Sequence, residues 1–181
     1  MVNNDVKYRK GLVNRIFIYF GGIDTDNLTG RLLSVIIGFI KTDVVLDVVV
    51  SSKNPNLSFI QKLVKNQNNI SLHIDLPSLA PLMIKADLAI GASGTTSLER
   101  LCLGLPSLVF TIAENQSYSS AELEKRGLIR RLKNNNFGVE FLQVLSEILE
   151  NNLDQNWSIN CHKTVDGGGV ERVCSMLEVS V

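Results

Sequence analysis

The sequence lacks the features that mark several large classes of protein. Its 181 residues hold three cysteines, Cys102, Cys161 and Cys174, and no Cys-x-x-Cys spacing. Reduced thiols are therefore expected rather than a disulfide framework. The two histidines are far apart, and no group of histidines and carboxylates has the spacing of metal ligands. We expect neither a metal nor a cofactor.

Charge of one sign and long apolar runs are also missing. The chain has 18 basic and 18 acidic residues, a formal net charge of +0, which gives no basis for a nucleic-acid surface. Its apolar runs are no longer than a strand or are interrupted by charge, so no membrane span is expected. The first residues, MVNNDVKYRKG, lack the apolar region of a signal peptide. We expect a cytoplasmic protein without nucleic-acid partners.

Alternating strand and helix patterns fill the chain. Short β-branched or apolar runs predict strands, and amphipathic segments between them predict helices. The predicted strands cover residues 15–20, 43–50, 70–74, 87–90, 106–112 and 128–132. The predicted helices cover residues 28–40, 57–66, 77–85, 95–104, 119–126 and 137–150, with further helix after 150 interrupted near 166–169. Repeated units of this kind predict the α/β class with a doubly wound parallel sheet. Residues 1–14 resemble a linker, and residues 15–181 are expected to form one domain.

The stretch from residue 86 to 116 is the most informative. Small residues at 92–94 follow a predicted buried strand and permit a sharp turn close to a ligand. Thr95 and Thr96 then open a helix, whose N-terminal N–H groups and dipole favour a phosphate. An apolar stripe that includes Leu98 and Leu101 is expected to face the sheet. Glu99 lies one turn beyond Thr95 and is therefore expected near the same site.

A second polar cluster follows the next predicted strand. Glu114, Asn115 and Gln116 come directly after that strand. Since the carboxyl ends of parallel strands meet at one edge of the sheet, this cluster should lie beside the small-residue loop. The two strand ends together predict a ligand-binding crevice with an anion cradle on one side.

Three motifs in order carry a resemblance to a known family. They are GGIDTDNLT, SSKNPN and DLAIGASGTTSLERLCLGLPSLVFTIAENQ. Over residues 8–131 the chain resembles the carboxyl-terminal half of the UDP-2,4-diacetamido-2,4,6-trideoxy-β-L-altropyranose hydrolases of pseudaminic acid biosynthesis. The later DGGGVER segment matches more loosely. That family is similar to the N-acetylglucosaminyltransferase that makes lipid II, whose two Rossmann-like domains form the GT-B fold. The resemblance implies the Rossmann-like carboxyl-terminal half of a GT-B fold.

The resemblance also implies a ligand, UDP or a UDP-sugar, and a role for each matched position. Two glycines and a threonine of the first loop, with Asp24 as the alternative to the threonine, would lie at the phosphates. A hydroxyl-rich run would hold the pyrophosphate, Glu99 the ribose, and two amides the sugar. A strand end that continues into Asp75, with Leu79 and Met83 behind it, would pack around the uracil. The implied binding residues are Gly21, Gly22 and Thr25 for the phosphates, Ser93, Gly94, Thr95 and Thr96 for the pyrophosphate, Glu99 for the ribose, His73 and Ile74 for the uracil, and Asn115 and Gln116 for the sugar.

The implied activity is hydrolysis, in which water attacks the anomeric carbon and UDP departs. The family's catalytic histidine belongs to its amino-terminal half and has no counterpart here. We therefore expect a UDP-sugar-binding half-domain that is inactive alone and works with a separate amino-terminal domain or chain. Asn115 and Gln116 are sugar-contacting candidates, and no catalytic residue is assigned. Two alternatives stay open, the donor-binding domain of a GT-B glycosyltransferase and a non-catalytic nucleotide-sugar-binding module.

Overall fold

Six parallel strands form the centre of the protein. The computed structural model describes residues 7–111, 116–132 and 138–178. The strands of this part of the chain are β1 (Arg15–Tyr19), β2 (Val45–Val50), β3 (Ile70–Ile74), β4 (Leu88–Ala92), β5 (Ser107–Phe110) and β6 (Arg130–Leu132). Their order across the sheet is β3-β2-β1-β4-β5-β6, and every neighbouring pair is parallel. The order reverses between β1 and β4, where doubly wound sheets bind their ligands.

Helices follow the strands and cover both faces of the sheet. They are α1 (Leu28–Ile36), α2 (Leu57–Val64), α3 (Ala80–Lys85), α4 (Thr96–Cys102), α5 (Ser117–Lys125), α6 (Val139–Asn151), α7 (Gln155–Thr164) and α8 (Gly169–Glu178). The larger core lies on one face, where α1 and α6 contribute Leu32 and Phe141 against Ile18 of β1. A smaller core on the other face joins Phe17 and Val49 to Met83 of α3.

The predicted α/β class and doubly wound parallel sheet are confirmed. Most elements begin and end within two residues of their predicted positions, but α1 ends at Ile36 instead of residue 40, and α3 begins at Ala80 instead of residue 77. Pro81 occupies the first turn of this helix, where a missing N–H costs nothing. Within the described residues, none of the helices has both the length and the apolar character that crossing a membrane requires.

The segment before β1 packs against the domain through Arg9. This side chain is 1% exposed, and its guanidinium donates to the carbonyl oxygens of Ala86 at 3.1 Å, Met83 at 2.8 Å and Leu103. Its backbone N–H also donates to Ser158 Oγ at 3.0 Å. Burial lowers the pKa of Arg9 from 12.5 to about 10, so the side chain stays charged at neutral pH. Several backbone oxygens thus offset the cost of burying this charge.

Candidate nucleotide site

Two cavities open side by side where the strand order reverses. The first, of about 450 Å³, is called the Glu99 cavity here, and the second, of about 340 Å³, the Gly94 cavity. The Glu99 cavity is lined by Tyr19, Gly22, Val49, Val50, Ser51, Asp75, Leu76, Pro77, Ser78, Leu79, Thr96 and Glu99. The Gly94 cavity is lined by Tyr19, Phe20, Gly21, Asp24, Thr25, Asp26, Leu28, Ala92, Gly94, Thr95, Thr96 and Gln116. Tyr19 and Thr96 belong to both, so the two form one continuous crevice.

Unused backbone N–H groups make the loop after β4 suitable for an anion. The N–H of Ser93 donates to the carbonyl of Phe110, and that of Ser97 donates to the carbonyl of Gly94. Between them, Gly94, Thr95 and Thr96 donate to no acceptor in the described part of the chain. No side chain of the described residues caps α4 either. Because these groups line the Gly94 cavity, an incoming oxyanion can accept hydrogen bonds from them.

The loop after β1 is closed to an anion by its own carboxylate. Asp24 has a φ of 45°, and its two oxygens accept from the N–H groups of Leu28 at 2.8 Å and Thr29 at 2.9 Å. Asn27 Oδ1 accepts from the N–H of Gly30 at 3.2 Å. The N-terminus of α1 is therefore occupied, and Asp24 acts as a helix cap. A phosphate in the Gly94 cavity would be attracted to the α4 side of the crevice.

Glu99 is one of two carboxylates, with Asp75, that line the other cavity of the crevice. Glu99 lies in the first turn of α4 and lines the Glu99 cavity together with Tyr19. Burial, and then the nearby Glu99 carboxylate, raise the pKa of Tyr19 above its usual 10.0. A carboxylate at the mouth of a cavity is a good acceptor for a pair of hydroxyl groups.

Asp75 ties together two loops that line the Glu99 cavity. Its Oδ1 accepts from Ser51 Oγ at 3.0 Å and from the N–H of Ser52 at 2.9 Å. Hydrogen bonds from Ser52, through its side chain and then its backbone, lower the pKa of Asp75 from 3.8. Its φ of 51° lies in the left-handed region. This geometry turns the chain after β3 so that residues 76–79 form one wall of the cavity.

His73 and Ile74 are not among the residues that line either cavity. The Nε2 of His73 lies 2.9 Å from Asp47 Oδ1, and Arg15 Nη1 lies 2.6 Å from the other oxygen of that buried carboxylate. Asp47 and Val49 share one face of β2, and Val49 lies opposite His73 in β3. The ring of His73 therefore packs over that face of the sheet and not at the carboxyl ends of the strands. Asp75 and Leu79, which belong to the same predicted stretch, do line the Glu99 cavity.

The remaining predicted residues divide between the cavities and their surroundings. Gly21, Thr25, Gly94, Thr95 and Gln116 line the Gly94 cavity, Gly22 and Glu99 line the other, and Thr96 lines both. Ser93 is buried, and its hydroxyl donates to Gln116 Oε1 at 3.1 Å. Asn115, like Glu114, lies outside the described residues. Among the described residues, no group of three potential metal ligands comes together.

The rotation of α4 differs from the predicted one. Leu98 is 52% exposed, whereas Ser97, Arg100 and Leu101 are buried. The expectation that Leu98 faces the sheet is therefore wrong, and a charged residue takes part in the buried face. Sequence reasoning also missed Tyr19, although it is the last residue of the strand at the reversal point. Its position there was the available signal.

Comparison with known proteins identifies similar chains. No protein-family model matches. The chain is 33% identical over 111 residues to the UDP-2,4-diacetamido-2,4,6-trideoxy-β-L-altropyranose hydrolase of Campylobacter jejuni subsp. jejuni serotype O:2. This match covers 61% of the present chain and 39% of the hydrolase. The chain thus spans about two fifths of that relative, and the similarity predicted from the motifs is confirmed.

Solved structures show the same fold. MurG of Acinetobacter baumannii superposes with a TM-score of 0.72 at 15% identity, covering 92% of this chain and 50% of MurG. The C-terminal CMP-Kdo binding domain of WaaA from Acinetobacter baumannii has a TM-score of 0.55 at 12% identity, covering 87% of this chain and 90% of that domain. At these identities the likeness concerns the fold, and it confirms the predicted Rossmann-like half of a GT-B architecture.

Proposed function

We propose that this chain is the UDP-sugar-binding half of a nucleotide-sugar hydrolase. The observation that carries the proposal is the crevice at the reversal of strand order, formed by the same segments that resemble the hydrolase family. Its α4 side offers unused N–H groups, and its other cavity carries Glu99. One end suits a diphosphate and the other suits a nucleoside.

The placement of the ligand follows from the hydrogen-bonding groups of the two cavities, since each cavity is lined by two carboxylates. The diphosphate lies in the Gly94 cavity against residues 94–96, whose N–H groups have no described acceptor. The ribose hydroxyls donate to Glu99, which repels phosphate and attracts hydroxyl groups. The uracil occupies the Glu99 cavity between Val49 and Leu76, where apolar side chains and the backbone after Asp75 surround it. Gln116 then lies on the phosphate side, toward the sugar.

The proposed hydrolysis requires a partner domain or chain. Hydrolysis needs a base that activates water, and neither histidine of the chain is placed for it. His73 is hydrogen-bonded to Asp47, and His162 Nδ1 lies 2.8 Å from the carbonyl oxygen of Cys102. We infer that the base and the remaining wall of the sugar site come from a second domain, as the greater length of the hydrolase relative, of which the match covers 39%, allows.

Calorimetric titration of the 181-residue chain with UDP tests the binding claim. Saturable binding of UDP, with weaker binding of ADP, supports the uridine assignment. Absence of binding at millimolar UDP contradicts the proposal. Incubation of the chain with UDP-N-acetylglucosamine, with and without an added acceptor sugar, tests the activity. Negligible UDP release is expected in both cases, while release that depends on the acceptor would indicate a transferase instead.

A further inference from the structure

A buried arginine lies directly behind the loop that faces the Gly94 cavity. Arg100 is 1% exposed, and its Nη2 donates to the carbonyl oxygen of Ala92 at 2.7 Å and to Ser97 Oγ at 2.8 Å. On the other side, Nη1 lies 2.9 Å from the position that a Cβ on Gly91 would take. The guanidinium therefore lies between Gly91 and Ser97, underneath the residues that line the cavity.

Arg100 forms no ion pair within the described residues. No carboxylate oxygen of the described residues lies within 4.0 Å of its guanidinium nitrogens, and its buried Nε has no hydrogen-bond partner. Burial lowers the pKa of Arg100 from 12.5 to about 10, while the adjacent Glu99 opposes this shift. The side chain is still protonated at neutral pH. A buried, unneutralised cation is costly unless something compensates it.

Arg9 shows how this chain compensates a buried cation that has a structural role. The Nε, Nη1 and Nη2 atoms of Arg9 all donate to backbone oxygens. Within the part of the chain that the structure describes, Arg100 donates two hydrogen bonds, both from Nη2, and its Nε has no partner. The two arginines have the same exposure and similarly lowered pKa values, yet only Arg100 is left incompletely partnered.

We propose that Arg100 is a positioning residue for the diphosphate, fixing the 92–97 loop and providing the positive charge that a bound anion neutralises. This inference rests on the proposed function, because it assumes that the anion is the diphosphate of a uridine nucleotide. It extends that function by assigning part of the affinity to a residue that does not touch the ligand. The low dielectric around the guanidinium strengthens its attraction for an anion at the loop.

Affinities of UDP and of uridine for the full chain test this role. Arg100→Met keeps an unbranched, flexible side chain but removes the guanidinium and its charge, whereas Arg100→Lys retains a charge. We expect Arg100→Met to weaken UDP binding about tenfold or more while uridine binding stays unchanged. Arg100→Lys should recover most of the UDP affinity. Arg9→Met is the matched control, since it removes an equally buried arginine remote from the crevice and should leave the ratio of UDP to uridine affinity unchanged.

The possible outcomes separate the two proposals. If the wild-type chain binds no UDP, the proposed function fails. If the wild type binds UDP and Arg100→Met keeps the wild-type ratio of UDP to uridine affinity, the role of Arg100 is refuted while the proposed function stands. Should both Arg100 variants fail to fold, Ser97→Ala decides, because it removes an acceptor that holds Nη2. It should weaken UDP binding and spare uridine, and unchanged UDP affinity would overturn the inference.

Discussion

Tyr19 and Gly91 lie opposite each other in β1 and β4, at the point where the order of strands reverses. A Cβ added to Gly91 would lie within 3.0 Å of the carbonyl oxygen of Tyr19, and at 2.9 Å from Nη1 of Arg100. Only a glycine therefore allows the two strands and the buried guanidinium to meet here. Tyr19 lines both cavities, so the same contact sets the geometry of the crevice.

Gly91→Ala should destabilise the domain strongly. The new methyl group meets backbone rather than a flexible side chain, and overpacking of this kind costs roughly 1–3 kcal/mol. Urea unfolding followed by circular dichroism measures the change in the free energy of unfolding. Gly38→Ala is the control, because Gly38 is exposed and a Cβ there meets nothing within 4 Å. Equal stability of the two variants would disprove the close approach of β1 and β4.

Gly94→Ala should weaken UDP binding without loss of stability. A Cβ on Gly94 meets nothing within 4 Å, so the domain tolerates it. The same methyl group would prevent a phosphate from approaching the loop closely, and we expect UDP affinity to fall at least about tenfold. Gly38→Ala, at the end of α1 away from the carboxyl edge, should bind UDP like the wild type. Calorimetry on the three proteins decides, and wild-type affinity in Gly94→Ala would place the diphosphate elsewhere.

Glu99→Ala should weaken the binding of a nucleotide only when the nucleotide carries ribose hydroxyls. Loss of hydrogen bonds to a charged acceptor costs roughly 1.5–3 kcal/mol, which is about ten- to a hundredfold in affinity. The comparison uses UDP and 2′,3′-dideoxy-UDP with both proteins. We expect the wild type to prefer UDP and the variant to bind both analogues equally. A preference for UDP that survives in Glu99→Ala would remove the ribose role of this residue.

Acid should reveal the contribution of Asp75 to stability. The folded pKa of Asp75 lies below its usual 3.8 because Ser52 and Ser51 stabilise the ionised form. This contribution is therefore fully present above pH 3.8 and is lost as the pH falls through the folded value. Asp75→Asn, which tolerates the same left-handed backbone, should be less stable than the wild type at neutral pH. Urea unfolding at decreasing pH should show the difference shrinking, and a difference independent of pH would argue against these hydrogen bonds.

The sequence was sufficient to predict the sheet and the small-residue loop, because both depend on local sequence patterns. Apolar runs and glycine-led turns predicted six strands, and the run from Ala92 to Thr96 marked the loop beside α4 correctly. Parallel topology then placed the loops of β1 and β4 at one edge. These inferences need no knowledge of side-chain direction.

Side-chain direction is what the sequence could not supply. His73 precedes the end of β3 by one residue, and the alternation of a strand sends its ring to Asp47 over the sheet face. In α4, a small rotation of the helix exposes Leu98 and buries Arg100, against the apolar pattern. Asp75 adopts a positive φ, which the residues around it in the sequence do not indicate. Each of these depends on tertiary packing rather than on local preference.

The central claim is that UDP binds at the carboxyl ends of β1 and β4, and amide chemical shifts of the ¹⁵N-labelled chain test it most directly. On titration with UDP, we expect the largest changes in chemical shift at Gly22, Gly94, Thr95, Thr96 and Glu99. The changes should saturate as expected for a single UDP site per chain. Uridine should shift the residues around the Glu99 cavity but leave Gly94 and Thr95 nearly unchanged. Shifts confined to other surfaces, or none at millimolar UDP, would contradict the account.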